Sequence, residues 1–302
     1  MCINTRFSDC RMSLSGDILE SVCKRLLLEA ATKLPGDVLR GLEEAYSIED
    51  NKYARSQLKI ILESVKIARD EGIPICQDTG NIHVYLKLGR GVVVPADISL
   101  YIDRAVRKAT KEIPLRPNMV HPLTRVNSMD NSGRGLPLVT MIPDPTIDGL
   151  EVAIMLKGAG SENLSRTYML KPTEGFESIR RIVLESIAEA LGRGCPPYII
   201  SVAIGGTLEY ASIRAKINLL EPIDKPSCIE LADLERILLD DINKLGIGAM
   251  GLGGRVTAMR VKLDYMYCHT ASLPVAIQIQ CWALRKAKAY ITSSGEIVYQ
   301  EL

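Results

Sequence analysis

The hydrophobic period of this chain changes at Gly72, and that change constrains the fold more than any other feature. Before it, apolar residues recur three and four apart, as on the buried face of a helix. Leu19, Val22, Cys23, Leu26, Leu27 and Ala30 share one face, and Pro35 with Gly36 breaks the run. A second helix is expected from about Asp37. A third, from about Asn51, places Ala54, Leu58, Ile61, Leu62, Val65 and Ala68 together before Gly72 stops it. Beyond Gly72, Ile82, Val84, Leu86 and Leu88 alternate with polar residues, the period of a half-buried strand.

The remaining chain mixes both periods. A helix is expected near 98–111, then a polar, proline-punctuated segment at 116–135, then strands at 136–144 and 150–158. An amphipathic helix at 175–191 ends at Gly192 and Gly194, and Cys195 with Pro196 and Pro197 opens a buried strand over 198–206. A helix at 229–245 meets a glycine-rich run, followed by strands at 254–268 and 273–281 and a terminal hairpin at 287–300. The pattern predicts a mixed α+β fold in one domain, 1–302. A helical N-terminal lobe, about 15–71, packs on a mixed or antiparallel sheet within a body of about 72–302. No internal repeat or low-complexity linker divides it.

Composition narrows the function. Hydrophobic residues make up 47% and charged residues 24% of 302, the profile of a globular enzyme. Lys and Arg number 37 against 36 Asp and Glu, so no global field favours nucleic acid or an anionic membrane. No signal-like N-terminal run and no apolar stretch of about 18 residues occurs, which points to the cytoplasm. Eight cysteines stand beside three histidines. In a reducing compartment they are inert core residues, metal ligands or catalytic thiols. None forms a C-x-x-C pair, which argues against a zinc ribbon or a thioredoxin motif and leaves a site assembled from distant cysteines.

Several segments carry chemistry, each beside a plainer explanation. Gly246 to Gly251 spells G-x-G-x-x-G, but a helix precedes it and a strand follows, the reverse of a dinucleotide site; close backbone approach explains these glycines better. Cys76, Gln77 and Asp78 put a thiol, an amide and a carboxylate in consecutive positions, and a buried cysteine with an Asx turn explains them equally well. Lys157 to Asn163 is either a backbone N–H nest for a carboxylate or a plain turn. Arg116, Arg125, Arg134 and Arg166 are candidate carboxylate clamps or solvated surface. His269 is a turn residue or a proton donor in a site; His83 reads as structural and His121 is undecided.

Read together, these segments are recognisable. ICQDTGN at 75–81, LRPNMVHPLT at 115–124, LKGAGSENLS at 156–165, CPPYIISVAIGGT at 195–207 and HTASLPVAIQIQCWALR at 269–285 resemble the α subunit of two-subunit, iron–sulfur-dependent class I fumarases. The homologous L-tartrate dehydratase α subunit is resembled equally, and the match spans nearly the whole chain. The resemblance implies a 4Fe-4S cluster on Cys76, Cys195 and Cys281, with the fourth iron open. Cys281 holds the family's CWA position, which Cys268 does not. Cys2, Cys10, Cys23 and Cys228 fit no ligand position. By the same resemblance Gln77, Asp78, Arg116, Gly158, Gly160 and His269 line a pocket for a small dicarboxylate. Asp78 would transfer a proton, and Arg116 would grip a carboxylate. Further substrate residues of single-chain relatives belong to a C-terminal part beyond Leu302, so a β subunit and a symmetric pair of αβ units are expected. The implied reaction is reversible hydration of fumarate to malate, with tartrate dehydration to oxaloacetate as the alternative. A cluster-less assembly module is disfavoured because all three candidate ligands are present with Gln77, Asp78, Arg116 and His269.

Overall fold

The computed structural model of the protein describes residues 12–113 and 115–300, whose helices and two mixed sheets form an α+β fold. The chain runs through β1 (Met12–Ser13), α1 (Gly16–Thr32), α2 (Gly36–Ile48), α3 (Lys52–Glu71), β2 (Asn81–Leu88), β3 (Val92–Val93) and α4 (Ile98–Glu112). It continues through β4 (Leu138–Pro143), β5 (Gly149–Lys157), α5 (Ala159–Glu162), β6 (Arg166–Leu170), α6 (Gly175–Ala190), β7 (Tyr198–Gly205) and α7 (Leu208–Asn218). It closes with α8 (Ala232–Lys244), β8 (Ala258–Met266), β9 (Leu273–Gln280), β10 (Arg285–Thr292) and β11 (Ile297–Tyr299). These elements gather into two units. The first takes the residues up to Ala31, Asn81–Leu156 and those from Lys286 on; the second takes Thr32–Gly80 and Lys157–Arg285.

In the first unit the sheet order is β11-β10-β5-β2-β4. Strands β2 and β4 pair in parallel from His83 opposite Leu138, and β10 and β11 form the antiparallel terminal hairpin. Helix α1 turns Leu19, Val22 and Leu26 into a core with Ile102 and Val106 of α4 and Val84, Leu86, Val152 and Ile154 of the sheet. Burying each such side chain contributes about 2 kcal/mol, so this packing anchors α1 in the first unit.

The second unit holds the sheet β6-β9-β7-β8. Strands β7 and β8 are parallel, and β9 runs antiparallel to both β7 and β6. Helix α3 begins where the Asn51 side chain accepts hydrogen bonds from the N–H groups of Tyr53 and Ala54, and ends at Gly72 in the left-handed region. The joint between α2 and α3 is tied down by Glu49. Its buried carboxylate accepts the N–H groups of Asn51, Arg255 and Val256 at 3.0–3.3 Å.

Besides the very short β1, β3 and α5, two elements escaped the periodicity. Helix α7 buries Ala211, Ala215 and Asn218 while Leu208, Tyr210 and Ile213 face outward, so its apolar residues form no single stripe. Strand β6 is five residues long and offers too short a pattern to be read. Among the described residues no helix is long and apolar enough to cross a membrane.

Candidate functional site

Sheet direction brings two of the cysteines together. Cys195 lies just before β7 and Cys281 just after β9, and because these strands are antiparallel neighbours, Ile199 stands opposite Gln280. The two cysteine turns therefore share one end of the sheet. Trp282 N–H donates to the Cys195 carbonyl at 3.3 Å, joining them directly. Cys195 itself has φ 58, a conformation that costs a non-glycine residue about 1–3 kcal/mol and persists only where its surroundings hold it. Tyr198 supplies part of that hold: its hydroxyl accepts the Gly194 N–H at 3.2 Å and donates to the Leu191 carbonyl at 2.7 Å. The rest comes from the glycine-rich run. Gly251, at φ +76, leaves 2.7 Å between the Cα of Gly192 and the place where its own Cβ would stand, so a side chain there would displace the Cys195 turn. Close backbone approach is what these glycines provide.

The third cysteine arrives on the turn after α3. Asp78, two residues beyond Cys76, spans two segments: Oδ1 accepts the Gly80 N–H at 2.9 Å and Oδ2 accepts the Ala159 N–H at 2.7 Å. The expected N–H nest at Gly158 and Gly160 is thus the capped start of the short helix α5, and the carboxylate it holds belongs to Asp78. Gly80, at φ +85, lets the backbone pass where a Cβ would come within 2.9 Å of Lys157. Position 160 faces the Arg193 carbonyl, 3.6 Å from where a Cβ would be, which brings this turn against the Cys195 loop.

Electrostatics links the thiols in series. Burial first, then the neighbouring Cys76, pushes the Cys195 thiol up. Burial also raises Cys281, which senses Cys195, while Arg285 and Lys157 oppose the shift. The Gln280 amide donates from Nε2 toward Cys281 Sγ at 3.3 Å, and its buried Oε1 has no hydrogen-bond partner.

The sequence reading missed the cations behind these thiols. Lys157 is 0% and Arg285 1% exposed. Lys157 Nζ donates to the Ile279 carbonyl at 2.9 Å and pairs with Glu162 at 3.4 Å, and burial lowers its pKa to about 8. Glu162 pairs in turn with Lys216 at 2.5 Å. Arg285 Nη1 donates to the Asp78 carbonyl at 2.8 Å. The available signal was a lysine closing the apolar run of β5 and an arginine following Ala283 and Leu284.

Other sequence-derived residues lie elsewhere. His269 sits before the start of β9, at the far end of the strand that leads to Cys281. Seven residue steps at 3.3 Å put about 23 Å of strand between them. It accepts the Ala271 N–H at 3.1 Å in an exposed turn, next to Tyr267, which is 93% exposed. Gln77 is exposed beside half-buried Cys76, and Arg116 belongs to the first unit. Cys23 is buried in a core where desolvation pushes its thiol up to about 12. Cys228 is half-buried, and exposed Cys268 donates to the Ser272 carbonyl at 3.2 Å. Cys2 and Cys10 lie outside the described residues.

Three cysteine thiols, with the Gln280 amide N–H on Cys281 Sγ, are soft donors of the kind that hold an iron–sulfur cluster. Among the described residues no three His, Cys, Asp or Glu side chains close on one metal ion. Tetrahedral thiolates at 2.3 Å from one ion stand about 4 Å apart, whereas cysteines binding different irons of a cluster stand wider. Three soft donors with an amide N–H on one sulfur suit the latter.

Comparison with known proteins agrees with this fold. Residues 20–290 match the Fumarate hydratase (Fumerase) family. The chain is 47% identical over 273 residues to a Methanocaldococcus jannaschii protein provisionally named L(+)-tartrate dehydratase subunit alpha, covering 89% of this chain and 96% of that one. It is 36% identical over 285 residues to a Geobacillus stearothermophilus protein provisionally named class I fumarate hydratase, covering 91% of this chain and 55% of that protein. It is 31% identical over 257 residues to the Escherichia coli L(+)-tartrate dehydratase subunit alpha, covering 85% of each. The class so defined is a hydro-lyase of the fumarate hydratase and tartrate dehydratase α type. The chain belongs to the Fumarate hydratase (Fumerase) family.

Proposed function

We propose that this chain is the cluster-carrying subunit of a hydro-lyase that, with a β subunit, reversibly hydrates fumarate to malate. One observation carries the reading: the loops of Cys195 and Cys281 meet at one end of the sheet, with Cys76 in electrostatic contact and the Asp78 carboxylate anchored to Ala159 N–H at 2.7 Å. Cys76, Cys195 and Cys281 would hold a 4Fe-4S cluster, whose open iron supplies Lewis acidity toward the hydroxyl and a carboxylate of the substrate.

The chain's own residues do the rest. Asp78 is fixed at both oxygens by backbone N–H groups, so it presents a preset orientation for moving a proton at the substrate carbon. Gln77 contributes an amide beside Cys76, and the backbone at Gly158 and Gly160 lines the pocket. The resemblance assigns a substrate carboxylate to the planar fork of Arg116, a residue of the first unit. His269 cannot reach the thiols of its own chain across the length of β9, so it enters a site from a second copy, in keeping with a symmetric pair of αβ units.

A second reading is favoured by a specific observation. Two relatives, at 47% and 31% identity, carry the L(+)-tartrate dehydratase subunit alpha name, and the chain covers 96% and 85% of their lengths. Dehydration of L(+)-tartrate to oxaloacetate uses the same hydroxy-dicarboxylate chemistry. Anaerobic co-expression with a β subunit, iron and sulfide quantitation, and kcat/KM for malate, fumarate and L(+)-tartrate test both. A preference for malate and fumarate supports the first reading, a preference for tartrate the second, and a chain that retains no cluster and turns over none of the three overturns both.

A further inference from the structure

We propose that Arg285 is a positioning residue of the cysteine site, a buried cation that balances the negative charge of the cysteine-bound group and donates its Nε–H to one of that group's sulfur atoms. This rests on the cluster reading above and goes beyond it, because Arg285 has no assigned role.

The charge balance of the pocket leads there. Arg285 is 1% exposed and carries a guanidinium, a cationic group with a planar fork of donors. A buried charge is tolerated when it is paired. Lys157, the other fully buried cation at this site, has Glu162 at 3.4 Å. Arg285 has no carboxylate within 4 Å among the described residues; Nη1 donates only to the Asp78 backbone carbonyl at 2.8 Å, a neutral acceptor. Its buried Nε–H has no partner at all.

Buried donors are almost always satisfied, so an orphaned guanidinium N–H marks the place of an acceptor. The Asp78 carboxylate lies on the Nη2 side, where a Cβ on Gly158 would stand 3.0 Å from Oδ2 and 3.6 Å from Nη2, which leaves Nε–H to another acceptor; the Arg285 charge also acts on Cys281, four residues before it. Neutral thiols do not balance a guanidinium, whereas thiolates and cluster sulfide do, and both accept charge-assisted hydrogen bonds. The guanidinium is held from behind by the glycine turn, where a Cβ on Gly158 would stand 3.6 Å from Nη2. The Asp78 carbonyl contact also couples the loop bearing Cys76 to the strand following Cys281. Outer groups of this kind orient ligands, and their charge and N–H···S bonds set cluster potentials.

The test compares wild type, Arg285→Lys and Arg285→Gln as full chains reconstituted anaerobically with ferrous iron and sulfide. The readouts are iron and sulfide per chain, the rate of cluster loss to a chelator, and the cluster's reduction potential followed by electron paramagnetic resonance. Arg285→Gln is expected to lose cluster at least several-fold faster and to have a more negative potential; Arg285→Lys, which keeps the charge, should recover most of the potential. A Gln variant with wild-type potential and loss rate overturns the proposal. Should Arg285→Gln fail to fold, wild type labelled with guanidino-15N arginine decides the matter. A 15N coupling to the reduced cluster that disappears in Arg285→Lys is expected, and its absence in wild type refutes the hydrogen bond. Wild type that takes up no cluster overturns both this inference and the functional reading, whereas cluster uptake with no dependence on Arg285 removes the inference alone.

Discussion

Asp78 and Ala159 stand 81 positions apart, yet Asp78 Oδ2 accepts the Ala159 N–H at 2.7 Å, so one carboxylate both caps the turn at Gly158 and orients the loop that carries Cys76. The other oxygen takes the Gly80 N–H at 2.9 Å. The bond to Ala159 ties the loop that carries Cys76 to the turn before α5.

Replacing Asp78 with asparagine tests its chemical role apart from its structural one. An amide accepts at one oxygen only and turns an N–H toward one of the two backbone donors. Turnover is expected to fall roughly 10²–10⁴-fold, the usual range for a lost proton-transfer group, while the melt shifts by on the order of 1 kcal/mol. Activity within twofold of wild type would end the proton-transfer assignment.

The ligand assignment separates the cysteines into two classes. Serine at 76, 195 or 281 should abolish stoichiometric iron and sulfide, while serine at exposed 268 or half-buried 228 should leave both at wild-type content. Cys23→Ser should bind cluster normally and lose about 1–3 kcal/mol, because it puts a hydroxyl into a core with no partner supplied. Elemental analysis and thermal melts of the six variants check this.

If His269 acts across two copies, defects should complement. Mixing a Cys281→Ser chain with a His269→Ala chain builds one intact site per mixed pair, so about a quarter of wild-type activity should return on random exchange. Neither chain alone should be active. No recovery after verified subunit exchange would mean that His269 does not serve the cysteine site in this way.

Lys157 predicts a pH dependence of folding for the metal-free chain. Its folded pKa is lowered from 10.5 to about 8, chiefly by burial, so below about pH 8 the folded state carries the full cost of a buried charge. Between about 8 and 10.5 the unfolded chain keeps a proton that the folded chain has released, and stability rises with pH. The gain is on the order of 3 kcal/mol. Urea unfolding should show wild type gaining on Lys157→Met across that window; parallel curves would contradict it.

Glu49 should prove to be structural. Three backbone N–H groups converge on its buried carboxylate, so Glu49→Ala leaves those donors unpaired and should cost about 2–4 kcal/mol in denaturant unfolding. Cluster uptake in the folded fraction should be unchanged.

Much of the fold was legible because its signals are local. The apolar faces of α1 and α3, the N-cap at Asn51 and the stop at Gly72 each arise from neighbours within a few positions; alternation marked β2 as a strand, although Ile82 to Leu86 are all buried, so both of its faces are covered rather than one. Helix α7 was not, since a helix that buries alanines and exposes Leu208, Tyr210 and Ile213 has no stripe to find. At the site, the cysteines and Asp78 could be singled out by chemistry and by resemblance. Lys157 and Arg285 could not, because a charged residue in sequence looks solvated until its surroundings are known.

The sequence by itself determined most of the longer elements, the soft character of the donor set and the family, since periodicity and motif identity are properties of residue order. Only the tertiary structure decided what meets what. The antiparallel pairing of β7 with β9 brings Cys195 to Cys281 and carries His269 to the opposite end, although His269 lies much nearer to Cys281 in the chain. Strand direction and register, not separation along the chain, set those distances, because the hydrogen bonds of the sheet fix which residues stand opposite one another.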